Sequence, residues 1–179
     1  QAEIYLKALI AQANQEPKQG VELITQLVKE KPNQLMLKFL LAEAYIKAGL
    51  TNQAEAELEQ LLKLAPSYYP ASYLLANFYA NQGKWLEARN LFKQLSLSRP
   101  NDPDVWFNLA EAAGKAGQPL QLHLARAEYF QLTARFKRAF EHLDLAVIEA
   151  QKQNQPWGVI SSIRERKKHL QNLVEKLTL

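Results

Sequence analysis

The histidines are the side chains of this chain that could hold a metal ion or transfer a proton near neutral pH. There are three, His123, His142 and His169, and the chain has no cysteine. They are 19 and 27 residues apart, so no two stand at positions i and i+4, where one helix face could present both to zinc. This spacing predicts ordinary surface or packing histidines and no metal site.

The other patterns that carry catalytic chemistry are weak or absent in the sequence. Glu141 and Asp144 form a local carboxylate pair, but such pairs are common on solvated helix faces. The sequence contains no His-Glu-x-x-His motif, no glycine-rich phosphate loop and no nucleophile elbow. We therefore predict no catalytic residue and no cofactor, and a chain that is not itself an enzyme; a hidden catalytic domain is the alternative.

Composition indicates a folded globular chain. The 179 residues are 47% hydrophobic and 22% charged, which is close to the globular average and argues against disorder. No apolar run approaches the roughly 20 residues that span a bilayer, so no transmembrane segment is expected. The chain begins at Gln1 without a leader-like stretch, and we expect a mature chain or a piece of a longer one.

One interval recurs along the first two thirds of the chain. Prolines, glycines, alanines and tyrosines each return after 34 residues. The recurring sets are Pro32, Pro66 and Pro100; Gly49, Gly83 and Gly117; Ala42, Ala76 and Ala110; Tyr45 and Tyr79; and Ala54 and Ala88. A 34-residue period built from helix pairs is that of the tetratricopeptide repeat, which the chain resembles. The pattern predicts an all-α helix-turn-helix solenoid of about ten helices.

The repeat pattern also predicts where the units begin and end. Tetratricopeptide repeats occupy 1–117, as repeats 1–34, 35–68 and 69–102 followed by the first helix of a fourth at 103–117. The phase breaks there, because Leu122 and Arg126 stand where the period requires alanine and an aromatic residue. Residues 118–153 fit a new register as an out-of-phase helix pair, with Ala127, Phe130, Ala139, Leu143 and Ala146 at its packing positions. Residues 154–179 are predicted to form a C-terminal capping helix.

Individual positions have physical reasons. Small residues would let paired helices approach closely, and Gly49 and Gly83 can adopt the left-handed conformation that ends a helix. Thr51 and Asp102 are predicted N-caps, and Pro103 suits the first helical position after Asp102.

The C-terminal third carries a more specific resemblance. The runs 123–130, 136–143 and 163–166 (HLARAEYF, FKRAFEHL and IRER) resemble the C-terminal end of bacterial periplasmic zinc metallopeptidases of the BepA (YfgC) type. The resemblance implies a periplasmic chain whose partners are its own protease domain and the outer-membrane protein assembly machinery. It also implies that zinc belongs only to the protease domain, because the zinc motif is absent here. A generic cytoplasmic tetratricopeptide scaffold with no protease partner is the alternative.

The concave surface of a tetratricopeptide solenoid usually binds an extended or helical peptide. The fifth, ninth and thirteenth residues of the repeats are expected to line it. The predicted peptide-binding residues are Tyr5, Phe39, Glu43, Tyr73, Asn77, Asn81, Phe107 and Glu111. Aromatic rings offer contact area at low entropic cost, and amides can hydrogen-bond a peptide backbone. The alternative is that these rings pack against adjacent helices inside the stack. A carboxylate clamp is disfavoured, because Phe39 and Glu43 stand where it needs lysine and asparagine.

The excess positive charge lies in the last third of the chain. Residues 1–119 hold 12 basic and 12 acidic side chains, whereas residues 120–179 hold 10 and 6, which accounts for the net charge of +4. The predicted docking face there is Arg164, Arg166, Lys167 and Lys168. Its alternatives are a solvated helix face, favoured by the buried stripe of Ile163 and Leu170, or contact with an anionic surface. Nucleic acid is not expected as a partner.

Overall fold

The computed structural model of the protein describes Leu6 and residues 16–177. The start of the predicted first repeat, and with it Tyr5, therefore lies outside the described residues apart from Leu6. Nine helices cover most of the described part of the chain, which contains no strand. They are α1 (Pro17–Glu30), α2 (Leu35–Lys47), α3 (Thr51–Leu64), α4 (Tyr69–Asn81), α5 (Trp85–Ser98), α6 (Pro103–Lys115), α7 (Pro119–Leu132), α8 (Phe136–Lys152) and α9 (Trp157–Leu177). The predicted all-α arrangement of helix-turn-helix repeats is confirmed across these residues.

Two kinds of helix end alternate at the 34-residue interval. The first kind follows α2, α4 and α6, where Gly49, Gly83 and Gly117 have φ near +70°. At the first of these turns the Leu50 N–H donates to the Tyr45 carbonyl at 2.9 Å and the Gly49 N–H to the Ile46 carbonyl at 3.1 Å. This is a Schellman turn, and its left-handed residue is the reason for the periodic glycines.

The second kind of helix end is set by proline. Lys31, Ala65 and Arg99 end α1, α3 and α5, each has a φ between −133° and −140°, and each directly precedes a proline. Proline sterically disfavours the helical conformation in the residue before it, so the helix ends there. A glycine turn therefore ends the first helix of a repeat, and a proline turn ends the second.

The helix α7 breaks this alternation. It is a second helix by position, yet Ala134 stands where a proline would continue the series of Pro32, Pro66 and Pro100. The Arg135 N–H donates to the Phe130 carbonyl at 2.8 Å, and Ala134 has a φ of +55°. Thus α7 ends in the turn that elsewhere follows a first helix, and α8 packs against it.

The chain divides into two compact units, Gln1–Phe78 and Tyr79–Leu179. In the first unit, α1 packs against α2 and α2 against α3. Ile24 and Leu27 of α1 are buried against Leu37, Leu40 and Leu41 of α2. The predicted small positions in this unit, Ala42, Ala54 and Ala76, are all buried, which confirms them as close-approach positions.

In the second unit, α5 to α9 pack in sequence, with α6 against both α5 and α7, and α8 against both α7 and α9. A single apolar cluster joins the last three helices. All five packing positions predicted for the shifted register lie in it, namely Ala127, Phe130, Ala139, Leu143 and Ala146. Ile163 and Leu170 of α9 are 4% and 3% exposed and close the cluster, so the predicted burial of these two residues is confirmed.

The predicted helix caps are partly wrong. Asp102 caps α6 as predicted, because its carboxylate accepts a hydrogen bond from the Asp104 N–H at 3.1 Å and Pro103 begins the helix. Thr51, however, is the first residue of α3, and Leu50 occupies the N-cap position without a side-chain hydrogen bond. The Schellman turn explains the difference, since it places Leu50 directly before the helix.

Candidate functional site

The predicted site residues of α2 lie at half-buried positions of the first unit. The Phe39 ring meets Tyr68 edge-on, with centroids 6.1 Å apart and an interplanar angle of 86°. The carboxyl of Glu43 is also half-buried, and burial raises its pKa while nearby Lys47 opposes the change. These positions are neither core nor freely exposed, so they fit a surface that a partner would cover.

On α4 the predicted side chains are engaged within their own helix. The Tyr73 ring lies 5.6 Å from that of Tyr69, tilted by 30°. The Asn77 amide donates to the Tyr73 carbonyl oxygen at 2.9 Å. Asn81, at the end of the helix, is exposed. The amide of Asn77 therefore already has a backbone partner, which sequence spacing alone did not indicate.

The second unit brings Phe107 and Glu111 of α6 together with Arg126 and Tyr129 of α7. We call these four residues the Phe107 cluster. The Phe107 ring is 38% exposed and meets Tyr129 edge-on at 5.4 Å. The Arg126 guanidinium lies 4.7 Å from the Phe107 centroid and forms an ion pair with the Glu111 carboxylate. Phe107 thus contacts both a cation and an aromatic ring while more than a third of the residue stays accessible.

Sequence spacing missed the α7 half of this cluster. In the sequence, Arg126 is distinguished only by interrupting the 34-residue pattern, and Tyr129 only by lying in the run 123–130. The interruption was the available signal. An arginine that stands in place of a packing aromatic residue, three residues before Tyr129, changes what that helix presents to α6.

Two of the histidines meet across α7 and α8. The Nδ1 atoms of His123 and His142 lie 2.9 Å apart, and the His142 ring stacks on Phe130 with centroids 5.3 Å apart. The prediction of surface or packing histidines did not indicate that two of them meet. It considered neighbours on one helix, whereas these two rings come from adjacent helices. The described residues hold no group of three side chains suited to a metal ion.

Burial and charge both act on the histidine pair. Burial lowers the pKa of His123, with Glu149 opposing and Lys152 reinforcing the change. Burial also lowers the pKa of His142, and His123, Arg126 and Arg138 reinforce this against the opposing charge of Glu141. Both imidazoles are consequently held toward their neutral forms.

Half of the predicted docking face is engaged within the second unit. Arg166 pairs with Glu128 of α7 at 2.8 Å, and Lys167 pairs with Asp144 of α8 at 2.6 Å. Burial raises the pKa of the Glu128 carboxyl, and Arg166 opposes this change. Arg164 and Lys168 are exposed. The basic run thus fastens α9 to its neighbours and leaves two cations at the surface.

Comparisons with known proteins agree on the repeat. A sequence profile described as "Tetratricopeptide repeat" matches residues 11–66 and 51–112. The structure resembles MamA from Desulfovibrio magneticus RS-1 with a TM-score of 0.68 and 12% identity, over 96% of this chain and 94% of that chain. It also resembles a structure from Podosopora anserina that is described as having nearly identical TPR-like repeats. The TM-score is 0.65 and the identity 19%, over 97% of this chain and 95% of that chain. At these identities the likeness shows a shared fold.

No curated protein sequence matches the chain. Neither of the two structures named above is described as a peptidase. Within the described ranges, no helix is long and apolar enough to cross a bilayer.

Proposed function

Because this chain belongs to the tetratricopeptide-repeat family, we propose that it is a non-catalytic module that binds segments of other proteins through the first helices of its repeats. Tetratricopeptide arrays present repeated helix faces, and each face contributes a few side chains to a partner. The proposed contacts of this chain are the predicted aromatic and polar residues of α2, α4 and α6, which are half-buried or exposed.

The Phe107 cluster is the observation that carries this proposal. An aromatic ring that is 38% exposed, yet held by Arg126 and Tyr129, is already ordered before a partner arrives. A preordered ring loses little conformational freedom on binding. Arginine and tyrosine are also enriched among residues that dominate binding energy. The cluster suits an extended segment with an apolar side chain placed against Phe107.

Selection from a random peptide library on the full chain tests this function. We expect the enriched peptides to share an aromatic or branched apolar residue, and Phe107→Ala to weaken their binding by about tenfold or more, as for a residue worth about 1.4 kcal/mol or more. Trp157→Ala is the matched control, because Trp157 is 76% exposed in the same unit but lies on α9, outside the cluster. Equal losses for both variants, or no enriched peptides, would contradict the proposal.

The wider setting that we propose is a periplasmic metallopeptidase, in which this module binds outer-membrane proteins or their assembly machinery for an attached zinc protease domain. Support comes from the resemblance of the runs 123–130, 136–143 and 163–166 alone. Their apolar members Phe130, Leu143 and Ile163 also belong to the core of the second unit, so packing explains part of the pattern. A cytoplasmic scaffold without a protease partner is the alternative.

The coding sequence upstream of Gln1 separates the two settings. The periplasmic proposal expects an export signal and a His-Glu-x-x-His motif there; neither would be present for a cytoplasmic scaffold. A peptidase assay on this chain tests the non-catalytic assignment independently, since peptide hydrolysis that chelators abolish would overturn it.

A further inference from the structure

We propose that His123 and His142 form an acid-sensitive latch between α7 and α8, which holds the Phe107 cluster together at neutral pH and releases it when both rings are protonated. The latch follows from the geometry of the two rings. Its consequence for ligand binding rests on the function proposed for the cluster.

The short contact between the rings requires a shared proton. With the Nδ1 atoms 2.9 Å apart, one Nδ1 must donate a hydrogen bond and the other must accept it. The rings come from different helices, α7 and α8, so this bond ties the helices together. Phe130 fixes the orientation of His142 by stacking on it at an interplanar angle of 24°.

The number of protons that the two rings bind determines whether the hydrogen bond between them can persist. A first added proton can bind the outer nitrogen of the donor ring, and the Nδ1–H···Nδ1 bond then persists with charge assistance. A second added proton places a hydrogen on both facing nitrogens and a positive charge on both rings. At 2.9 Å the donors then oppose each other, so the rings must separate. The two histidines therefore titrate as one coupled unit.

The charges around the pair favour opening over a second protonation in place. From α7, Arg126 faces His142, although its own ion pair with Glu111 of α6 reduces its effect. From α8, Arg138 and Lys152 oppose protonation while Glu141 and Glu149 favour it. The cations of α9 nearest these helices, Arg166 and Lys167, are paired with Glu128 and Asp144.

The direction of the stability change follows from the lowered pKa of each ring. In the unfolded chain both rings titrate near the ordinary histidine value of 6.5. Because folding lowers the pKa of both, the unfolded state binds more protons below that pH. The contribution of the pair is complete above about pH 6.5 and is lost as the pH falls through the lowered folded values.

The latch is connected to the Phe107 cluster through two neighbouring residues. Arg126 lies one helical turn after His123 on α7, on the same face. Tyr129 packs on Phe130 at 5.2 Å, and Phe130 is the ring on which His142 stacks. Opening the latch would therefore disturb both residues that hold Phe107.

Imidazole NMR of the wild-type chain between pH 8 and 5, with a chelator present, tests the latch directly. We expect the resonances of His123 and His142 to shift together in two coupled steps. Independent single-step titrations of His123 and His142 would overturn the latch.

Thermal melts give a second readout. His142→Phe keeps a ring to stack on Phe130 but cannot titrate, so its melting temperature should fall less than that of wild type between pH 7.5 and 5.5. The falls in melting temperature of wild type and His142→Phe over this pH interval should differ by about 2–4 °C, for a chain of this size. His169→Gln, on the exposed face of α9, should keep the wild-type dependence. An unchanged pH dependence in His142→Phe would contradict the latch.

Binding of a selected peptide separates the latch from the proposed function. Wild-type affinity should fall about fivefold or more between pH 7.5 and 5.5, whereas His142→Phe should lose the pH dependence. Coupled titration without any change in affinity would overturn the link to the Phe107 cluster. Absence of peptide binding at every pH would refute the proposed function, while the NMR result decides the latch.

Discussion

Ala134 is the residue that most changes the course of the chain. It occupies the position of the periodic prolines but takes a left-handed backbone conformation, which costs an L-residue with a Cβ about 1–2 kcal/mol. With Ala134 in this conformation, α7 ends in a Schellman turn of the kind that glycine makes after α2, α4 and α6. Asn154 repeats this turn after α8 at lower strain, because asparagine tolerates the left-handed region better than alanine.

Replacing Ala134 with glycine should stabilise the protein. The variant Ala134→Gly removes the left-handed strain but adds flexibility to the unfolded chain, so the net gain should be about 0.5–1 kcal/mol. Urea unfolding measures it. Gly117→Ala is the matched opposite, since Gly117 has a φ of +70°, and it should lower the free energy of unfolding by a similar or larger amount. A destabilised Ala134→Gly variant would show that the alanine is not strained.

At the scale of helices, α9 completes the core of the second unit. Its apolar residues Ile163 and Leu170 enter the cluster formed by α7 and α8, and its cations Arg166 and Lys167 pair with carboxylates on those same helices. Burial and ion pairing thus act at the same interface, but they differ in strength. Exposed ion pairs contribute about 0–1 kcal/mol, whereas a buried leucine contributes several.

Substitutions in α9 should separate these two contributions. Leu170→Ala should lower the free energy of unfolding by about 2–5 kcal/mol because Leu170 is 3% exposed. Lys167→Ala should lower it by less than about 1 kcal/mol, because the Asp144 side chain is 57% exposed. Leu173→Ala, on the same helix but 45% exposed, is the apolar control. Denaturant melts rank the three, and a Lys167 effect as large as that of Leu170 would contradict this assignment.

At the scale of the whole molecule, the chain consists of two compact units whose boundary falls within α4. The first contains α1, α2 and α3, and the second contains α5 to α9. In repeat proteins each helix pair contacts mainly its neighbours, so stability is distributed locally along the chain.

Hydrogen exchange should show this local distribution. Leu58→Ala truncates a side chain with 0% exposure in α3. Relative to wild type, we expect this variant to accelerate amide exchange more in residues 16–78 than in residues 79–177. Leu143→Ala makes the matched change in α8 and should show the reverse pattern. Equal acceleration across both ranges in either variant would instead indicate one cooperative unit.

Much of the fold was predictable from spacing alone. The positions of Gly49, Gly83 and Ala110 follow from a period in the chain, and each has a local reason, either a left-handed turn or a close helix approach. The buried packing positions after residue 117 were predictable too, because small residues such as Ala127 and Ala139 allow helices to approach closely. The N-cap at Thr51 failed, since the preceding turn decides where the next helix begins.

The candidate site was predictable only in part. Phe107 and Glu111 were identified by their place in the repeat, but Arg126 was not, because its contact with Phe107 depends on how α7 lies against α6. That Phe39 and Tyr73 line the concave surface, instead of packing against adjacent helices inside the stack, remains a prediction for binding experiments, since both residues are half-buried.

The order of residues was sufficient for the repeat, its glycine and proline turns and its buried small positions, because backbone conformation and helical periodicity are local properties. It was not sufficient for the contact between His123 and His142, 19 residues apart on different helices. That contact depends on the rotation of α7 and α8 about their axes and on the side-chain conformations selected by Phe130. Packing between helices sets both, and no interval along the chain encodes them.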